Sequence, residues 1–399
     1  MKITGIETLR PKEHPNVLWV QVHTDEGITG LGETFYGAAS AEAYIHEWAV
    51  HKLLGKNPLQ IDRLAKELVG YLGFRSSGAE VRGNSAIDIA LWDIFGKVTG
   101  QPICQLLGGQ TRERIRTYNT CAGSDYVRTT KQQSVSNWGL STSKPGRYDD
   151  LNAFLNHADE LALDLLESGI TAMKIWPFDP YAEASDGLYI SGPELEKGLE
   201  PFRKIRQAVG NKMDIMVEFH SLWTLPPALK IADRLAEFNT FWHEDPMKLD
   251  SMSGFKRYAD RSKAPLCVSE TLAMRGSFLD LLRTDAVGVV MLDISWCGGL
   301  SEARKIASMA EAWHLPVAPH DCTGPVVLTA STHLSLNAPN ALIQESVRAF
   351  YNGWYKDAVT ALPEVKNGYI TVPPGPGLGL ELVPDIRKVM TVESRLTKA

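Results

Sequence analysis

Residues 214–223 read DIMVEFHSLW. The apolar run at 215–217 is short and unbroken, as in a strand buried on both faces, and such a strand ordinarily ends in turn residues. This one ends in Glu218, with His220 two residues further on, and both are expensive to bury. Similar runs recur in RIRTYNTCAG (114–123), ITAMKIW (170–176), TFWHED (240–245), PLCVSE (265–270), VGVVMLD (287–293), LPVAPH (315–320) and ALIQES (341–346). Amphipathic segments such as PPALKIADRLAEF (226–238) and SEARKIASMAEAW (301–313) lie between them. Apolar strands alternating with helices mark a parallel sheet, and eight of them in about 230 residues match the usual size of a (β/α)8 barrel.

Ahead of these repeats the pattern differs. NVLWVQVHTDEGITGLGETF (16–35) reads as a hairpin around Asp25-Glu26-Gly27. SAEAYIHEWAVHKLLG (40–55) and SAIDIALWDIFGKVTG (85–100) carry apolar residues at helical spacing, and each stops at a glycine. Strands followed by helices predict a compact α+β unit. The expected fold is therefore α/β: a (β/α)8-type barrel over 114–365 with an N-terminal α+β capping domain at 1–113. The Pro/Gly-rich TVPPGPGLGLEL (371–382) falls in a segment, 366–399, expected to leave the barrel and return to the capping domain. Two polar stretches, 124–150 and 177–192, follow the first two barrel strands and are expected on the C-terminal face, where barrels keep their chemistry.

Seven of the eight strand candidates finish on an ionisable group: Lys174, Glu218 with His220, Glu244, Glu270, Asp293, His320 and Glu345. Glu218, Glu244 and Glu270 stand 26 residues apart, one strand–helix unit each. Consecutive barrel strands are neighbours, so the three carboxylates converge. They cannot stay ionised and buried without a cation. Oxygen ligands with room for water and substrate select a hard divalent ion, Mg2+ above others.

The 399 residues are 44% hydrophobic, with a net charge of -6 and no Lys/Arg-rich run, which argues against nucleic acid or an anionic membrane as partner. No apolar leader and no stretch of about 18 apolar residues is present, so a soluble, cytoplasmic protein is expected. Five cysteines at wide spacing suggest neither a disulfide framework nor a zinc site.

The chain resembles the enolase superfamily, specifically its mandelate racemase-like branch of acid-sugar dehydratases and epimerases. The resemblance runs nearly the whole length: SAIDIALWDIFGKVTGQPICQLLGG (85–109), the three glutamates, MLDISWCGGLSEARKIA (291–307), PVAPHD (316–321) and GPGLGL (375–380). It implies that Mg2+ binds the substrate carboxylate, that a base removes the α-proton, and that the metal stabilises the enediolate. A Lys or His base working with Mg2+ is a documented habit of this superfamily rather than a deduction from these residues. It also implies a homo-oligomer and a small carboxylate, a sugar acid, as substrate.

Residue by residue, charge counting assigns Lys174 to offset the enediolate. Many racemases of the branch carry Lys-x-Lys on this strand, but here the stretch is Lys174-Ile175-Trp176, and an indole takes no proton. By the resemblance His320 pairs with Asp293 and serves as base. His220 stands where racemase-type members have Asn; in some dehydratases His there is the general acid for the departing 3-hydroxyl. Its other available role is to clamp the substrate carboxylate. Glu218 replaces the usual Asp ligand, moving its carboxylate by roughly one C–C bond. Glu345 faces the substrate or the enediolate. Arg10, His14, Tyr36, Arg75, Trp176 and Trp296 are the candidates for substrate contact. The reading is a sugar-acid hydro-lyase, with a cycloisomerase or epimerase sharing the enediolate step, or a non-catalytic binding protein, as alternatives.

Overall fold

The computed structural model describes residues 1–71, 77–124, 126 and 148–399. Arg75 and most of the 124–150 stretch lie outside the described residues.

The N-terminal strands β1 (Ile3–Pro11), β2 (Val17–Thr24) and β3 (Thr29–Phe35) form an antiparallel sheet. Its inner face packs on the 21-residue helix Ala79–Thr99. Two glycines of β3 make that contact close. A Cβ on Gly30 would stand 2.0 Å from the Ala90 carbonyl oxygen, and one on Gly32 1.8 Å from that of Ala86. No side chain fits at either position.

The second sheet is the barrel. Its parallel strands are β4 (Ile115–Thr120), β5 (Ala172–Ile175), β6 (Asp214–Glu218), β7 (Trp242–Glu244), β8 (Leu266–Val268), β9 (Val289–Leu292), β10 (Val317–Pro319) and β11 (Gln344–Ser346). They pair in chain order from β4 to β10, and β11 pairs back to β4. A parallel bridge between Val317 and Ala341 joins the last two strands and closes the ring. Inward residues from every strand or its approach fill the lumen: Tyr118, Ala172, Met216, Trp242, Cys267, Val289, Met291, Ala318 and Ile343. The barrel is thus a packed core, and polar groups have room only at its mouths.

After the barrel, the hairpin of β12 (Glu364–Lys366) and β13 (Tyr369–Thr371) adds antiparallel to β4, so position 366 falls inside a hairpin. Gly377 then bridges Pro102, and β14 (Val392–Lys398) pairs antiparallel with β1. All five cysteines are free and buried. Among the described residues no helix is long and apolar enough to cross a membrane.

Buried acids stitch the cap to the barrel and to the segment that returns from it. Glu33 accepts from Trp19 Nε1 (2.7 Å) and from the Val327 amide (2.9 Å) in the first turn of the helix Pro325–Asn337. Asp88 accepts from the Ser301 amide (2.9 Å) and hydroxyl (2.5 Å). Asp93 accepts from the amides of Leu31 (2.9 Å) and Leu378 (2.8 Å) and pairs with Lys97 (2.6 Å). Burial pushes all three carboxyls up, Glu33 to about 8, Asp88 to about 7 and Asp93 to about 6.

Candidate active site

The register of β6 against β7 places Glu218 directly beside Glu244, and Glu270 follows β8 by two residues. Carboxylate oxygens of the three lie within 4.8 Å of one another. Glu218 curls its Oε1 back onto the turn it precedes, accepting from the amides of Phe219 (2.9 Å) and His220 (2.6 Å). Its Oε2 is buried and makes no hydrogen bond, its nearest cation being Lys174 Nζ at 3.5 Å.

Lys174, on β5, is the local cation. Its Nζ lies 2.6 Å from Glu244, 2.9 Å from Glu345 and 3.5 Å from Glu218. Burial works against its charge, but Glu244 and Glu345 overcome it and hold the ammonium well above its ordinary value. Glu345 also accepts from Thr120 and from the Asp321 amide (2.8 Å). Burial raises its carboxyl, yet Lys174 and His320 bring it down to about 2. Glu244, next to Glu218, is pushed the other way, chiefly by burial. One ammonium does not compensate this many acids. A buried, unbonded oxygen within reach of two further carboxylates fits a hard divalent cation.

Two histidines flank the cluster. His320 follows the seventh strand; its Nδ1 meets Asp293 at 2.7 Å and its Nε2 meets Glu270 at 3.1 Å. Asp293 is itself fixed by the amide (2.7 Å) and hydroxyl (2.6 Å) of Ser295. Burial would lower His320, but Glu270, Glu345 and Asp293 raise it well above the usual imidazole value. His220 follows the third strand, four strands away and so across the barrel mouth. Its Nδ1 meets Asp179 at 2.6 Å, and its Nε2 meets the Tyr126 hydroxyl at 3.2 Å. Burial lowers His220 as well, and Asp179 followed by Glu218 carries it up to about 9.

The expected substrate contacts divide. Trp296 lies tilted against His320 with ring centroids 5.3 Å apart, and Tyr36, at φ 60°, sits 6.0 Å from Trp296. Trp176 packs against Tyr126, Phe154 and His220. His14 stacks on Trp354, which follows β11, at 4.1 Å. Arg10 does not join the cluster: its guanidinium pairs with Glu42 (2.9 Å) and with Glu393 of β14 (3.0 Å). Those two carboxylates take up its charge on the capping sheet.

Three groups escaped the sequence reading. Asp179 and Tyr126 sit in connections whose course no periodicity reveals, although an acid just past β5, the neighbour of β6, was a usable signal. Arg82 lies 4.5 Å over the Trp296 ring and donates to the carbonyls of Phe35 and Ser77. Burial pulls its guanidinium down to about 10.

Residues 157–386 match the family described as enolase C-terminal domain-like, and residues 8–108 match the mandelate racemase / muconate lactonizing enzyme N-terminal domain. The chain belongs to the enolase superfamily, in its mandelate racemase-like branch. A crystal structure of an enolase of the mandelate racemase subgroup from Agrobacterium tumefaciens, with a succinimide residue, sodium and phosphate, is 65% identical, with 100% of this chain and 99% of that one covered and a TM-score of 0.90. D-galactonate dehydratase of Xanthomonas campestris pv. campestris is 31% identical over 97% of this chain and 94% of its own length. D-xylonate dehydratase of Haloferax volcanii is 28% identical over 98% and 89%.

Proposed function

We propose that this protein is a Mg2+-dependent hydro-lyase that converts an aldonic or aldaric acid into a 2-keto-3-deoxy acid. The observation that carries the reading is the pair of imidazoles on opposite sides of the barrel mouth, each tied through Nδ1 to a buried aspartate. A dehydration needs one group to take the α-proton and another to protonate the leaving hydroxyl, and two separately held histidines meet that need. The relatives named as sugar-acid dehydratases support the substrate class.

Glu218, Glu244 and Glu270 would hold the cation, which when bound neutralises the substrate carboxylate and the charge of the enediolate. His320 takes the α-proton at Nε2, since Nδ1 is committed to Asp293. Glu270 raises His320 only while its own charge is uncompensated. The C–H electron pair moves into the enediolate, with Lys174 supplying positive charge beside it. The C3–O bond then breaks as His220 donates a proton to the leaving hydroxyl, and water leaves. The resulting enol gives up its O–H proton and takes one at C3 to give the keto acid. Glu345, held by Thr120 and Lys174, faces the reacting carbons. Trp176, Trp296, Tyr36 and His14, with Arg75, supply walls and donors to the polyol. A cytoplasmic homo-oligomer of cap, barrel and returning segment completes the reading.

The test is NMR in D2O with Mg2+ and a panel of C4 to C6 aldonic and aldaric acids. Keto acid from one or a few of them is the expected result. Exchange of the α-proton without keto acid from any would replace the dehydratase by an isomerase.

A further inference from the structure

His220 is held by a device that the rest of the fold does not need. Asp179 opens the short helix Asp179–Ala184, beyond β5. It is 1% exposed, and its Oδ1 makes no hydrogen bond. Among the described residues, its hydrogen bond is to His220 Nδ1, at 2.6 Å. A buried carboxylate with one partner is a cost to the fold. A second cost lies in the backbone, where His220 and Ser221 both occupy the left-handed region, at φ 48° and 56°. Strain of that kind is about 1–3 kcal/mol per residue and survives only where the surroundings impose it.

Both costs serve to aim one ring. The Trp176 indole stands edge-on to the imidazole at 5.8 Å and 77°, limiting its rotation. With Nδ1 on Asp179, Nε2 points to the Tyr126 hydroxyl, the polar group that a substrate hydroxyl would join or displace. The arrangement repeats that of the other histidine. Asp293 directly follows β9 and holds His320 beyond β10, while Asp179 follows β5 and holds His220 beyond β6. In each case the carboxylate comes from the strand–helix unit just before the one bearing the histidine.

We propose that Asp179 is a positioning residue: it fixes the His220 ring so that Nε2, and not Nδ1, faces the reacting hydroxyl. Asp179 acts through His220 and touches no substrate itself. The consequence for turnover rests on the dehydratase reading above; the consequence for ring orientation does not.

The experiment compares wild type, Asp179→Asn, His220→Gln and the double variant, each loaded with Mg2+. Keto-acid formation and α-deuterium uptake are followed together in D2O. Asp179→Asn is expected to lose dehydration by about 100-fold or more, within the range for a displaced general acid, while exchange stays within a few-fold of wild type. The double variant is expected to be no slower than His220→Gln, because the two residues act as one unit. Equal loss of exchange and dehydration in folded Asp179→Asn, or additive losses in the double variant, overturns the proposal. Crystal structures of wild type and Asp179→Asn read the orientation directly, with Asp179→Ser as second variant if Asn does not fold. A His220 ring left in place without the carboxylate also overturns it. If wild type dehydrates no acid, the function fails separately, and the ring orientation decides the role of Asp179.

Discussion

Glu33, Asp88 and Asp93 at the seam between cap and barrel are as buried as Glu218 and Glu244 at the strand ends, yet the protein satisfies the two sets differently. Each seam carboxylate receives a backbone amide from another part of the chain, with an indole, a hydroxyl or Lys97 completing the set. At the strand ends the carboxylates face one another and share Lys174, and Glu218 Oε2 makes no hydrogen bond, with Lys174 Nζ 3.5 Å away. On the function proposed above, the difference separates acids that hold a fold from acids that would hold a cation. Fixed dipoles satisfy the seam carboxylates. At the strand ends, where the Phe219 and His220 amides and the Trp242 indole also donate, the crowded like charges keep a repulsion that Lys174 relieves in part and an added cation would relieve further.

The sharpest break in this contrast is Glu244→Gln. Turnover is expected to fall by about 1000-fold or more, while the melting temperature without metal stays level or rises. Divalent cation at 100 times its Kd is expected to stabilise wild type by about 2.7 kcal/mol and this variant far less, read by thermal unfolding with and without chelator. Lys174→Met removes the shared ammonium. It is expected to cost about 3–5 kcal/mol in metal-free protein, partly restored by Mg2+, and to slow turnover by about 100-fold; denaturant unfolding and steady-state rates check it.

Glu33→Gln probes the other set. The Glu33 carboxyl titrates at 4.5 in the unfolded chain and about 8 in the fold. Its stabilisation is full below the unfolded value and is lost as pH rises through the folded one. The variant does not titrate there and loses an acceptor, so it should be the less stable protein at pH 5. The gap should close by on the order of 2–4 kcal/mol by pH 8.5 in urea unfolding. A gap constant with pH would place Glu33 ionised in the fold. Smallest of all is Arg10→Gln, expected to change stability by less than about 1 kcal/mol and activity not at all, since the ion pairs with Glu42 and Glu393 lie in the capping domain. A raised KM would return Arg10 to the substrate.

Periodicity alone determined a great deal here. Apolar runs at one strand–helix spacing imply a parallel barrel, and that spacing turns residues 26 apart into neighbours at one mouth. Glu218, Glu244 and Glu270 were legible for that reason, while the reach of Asp293 to His320 was implied by the family resemblance. Tertiary structure decided what no period encodes. Asp179 reaches His220 because the chain beyond β5 turns back over β6, and Arg10 is spent on a strand 383 residues further along. Glu218 folds one oxygen onto its own turn, which no spacing foretells. Strand register repeats along a chain and can be counted; connections between strands take their course from packing, and only the folded molecule shows where their side chains arrive.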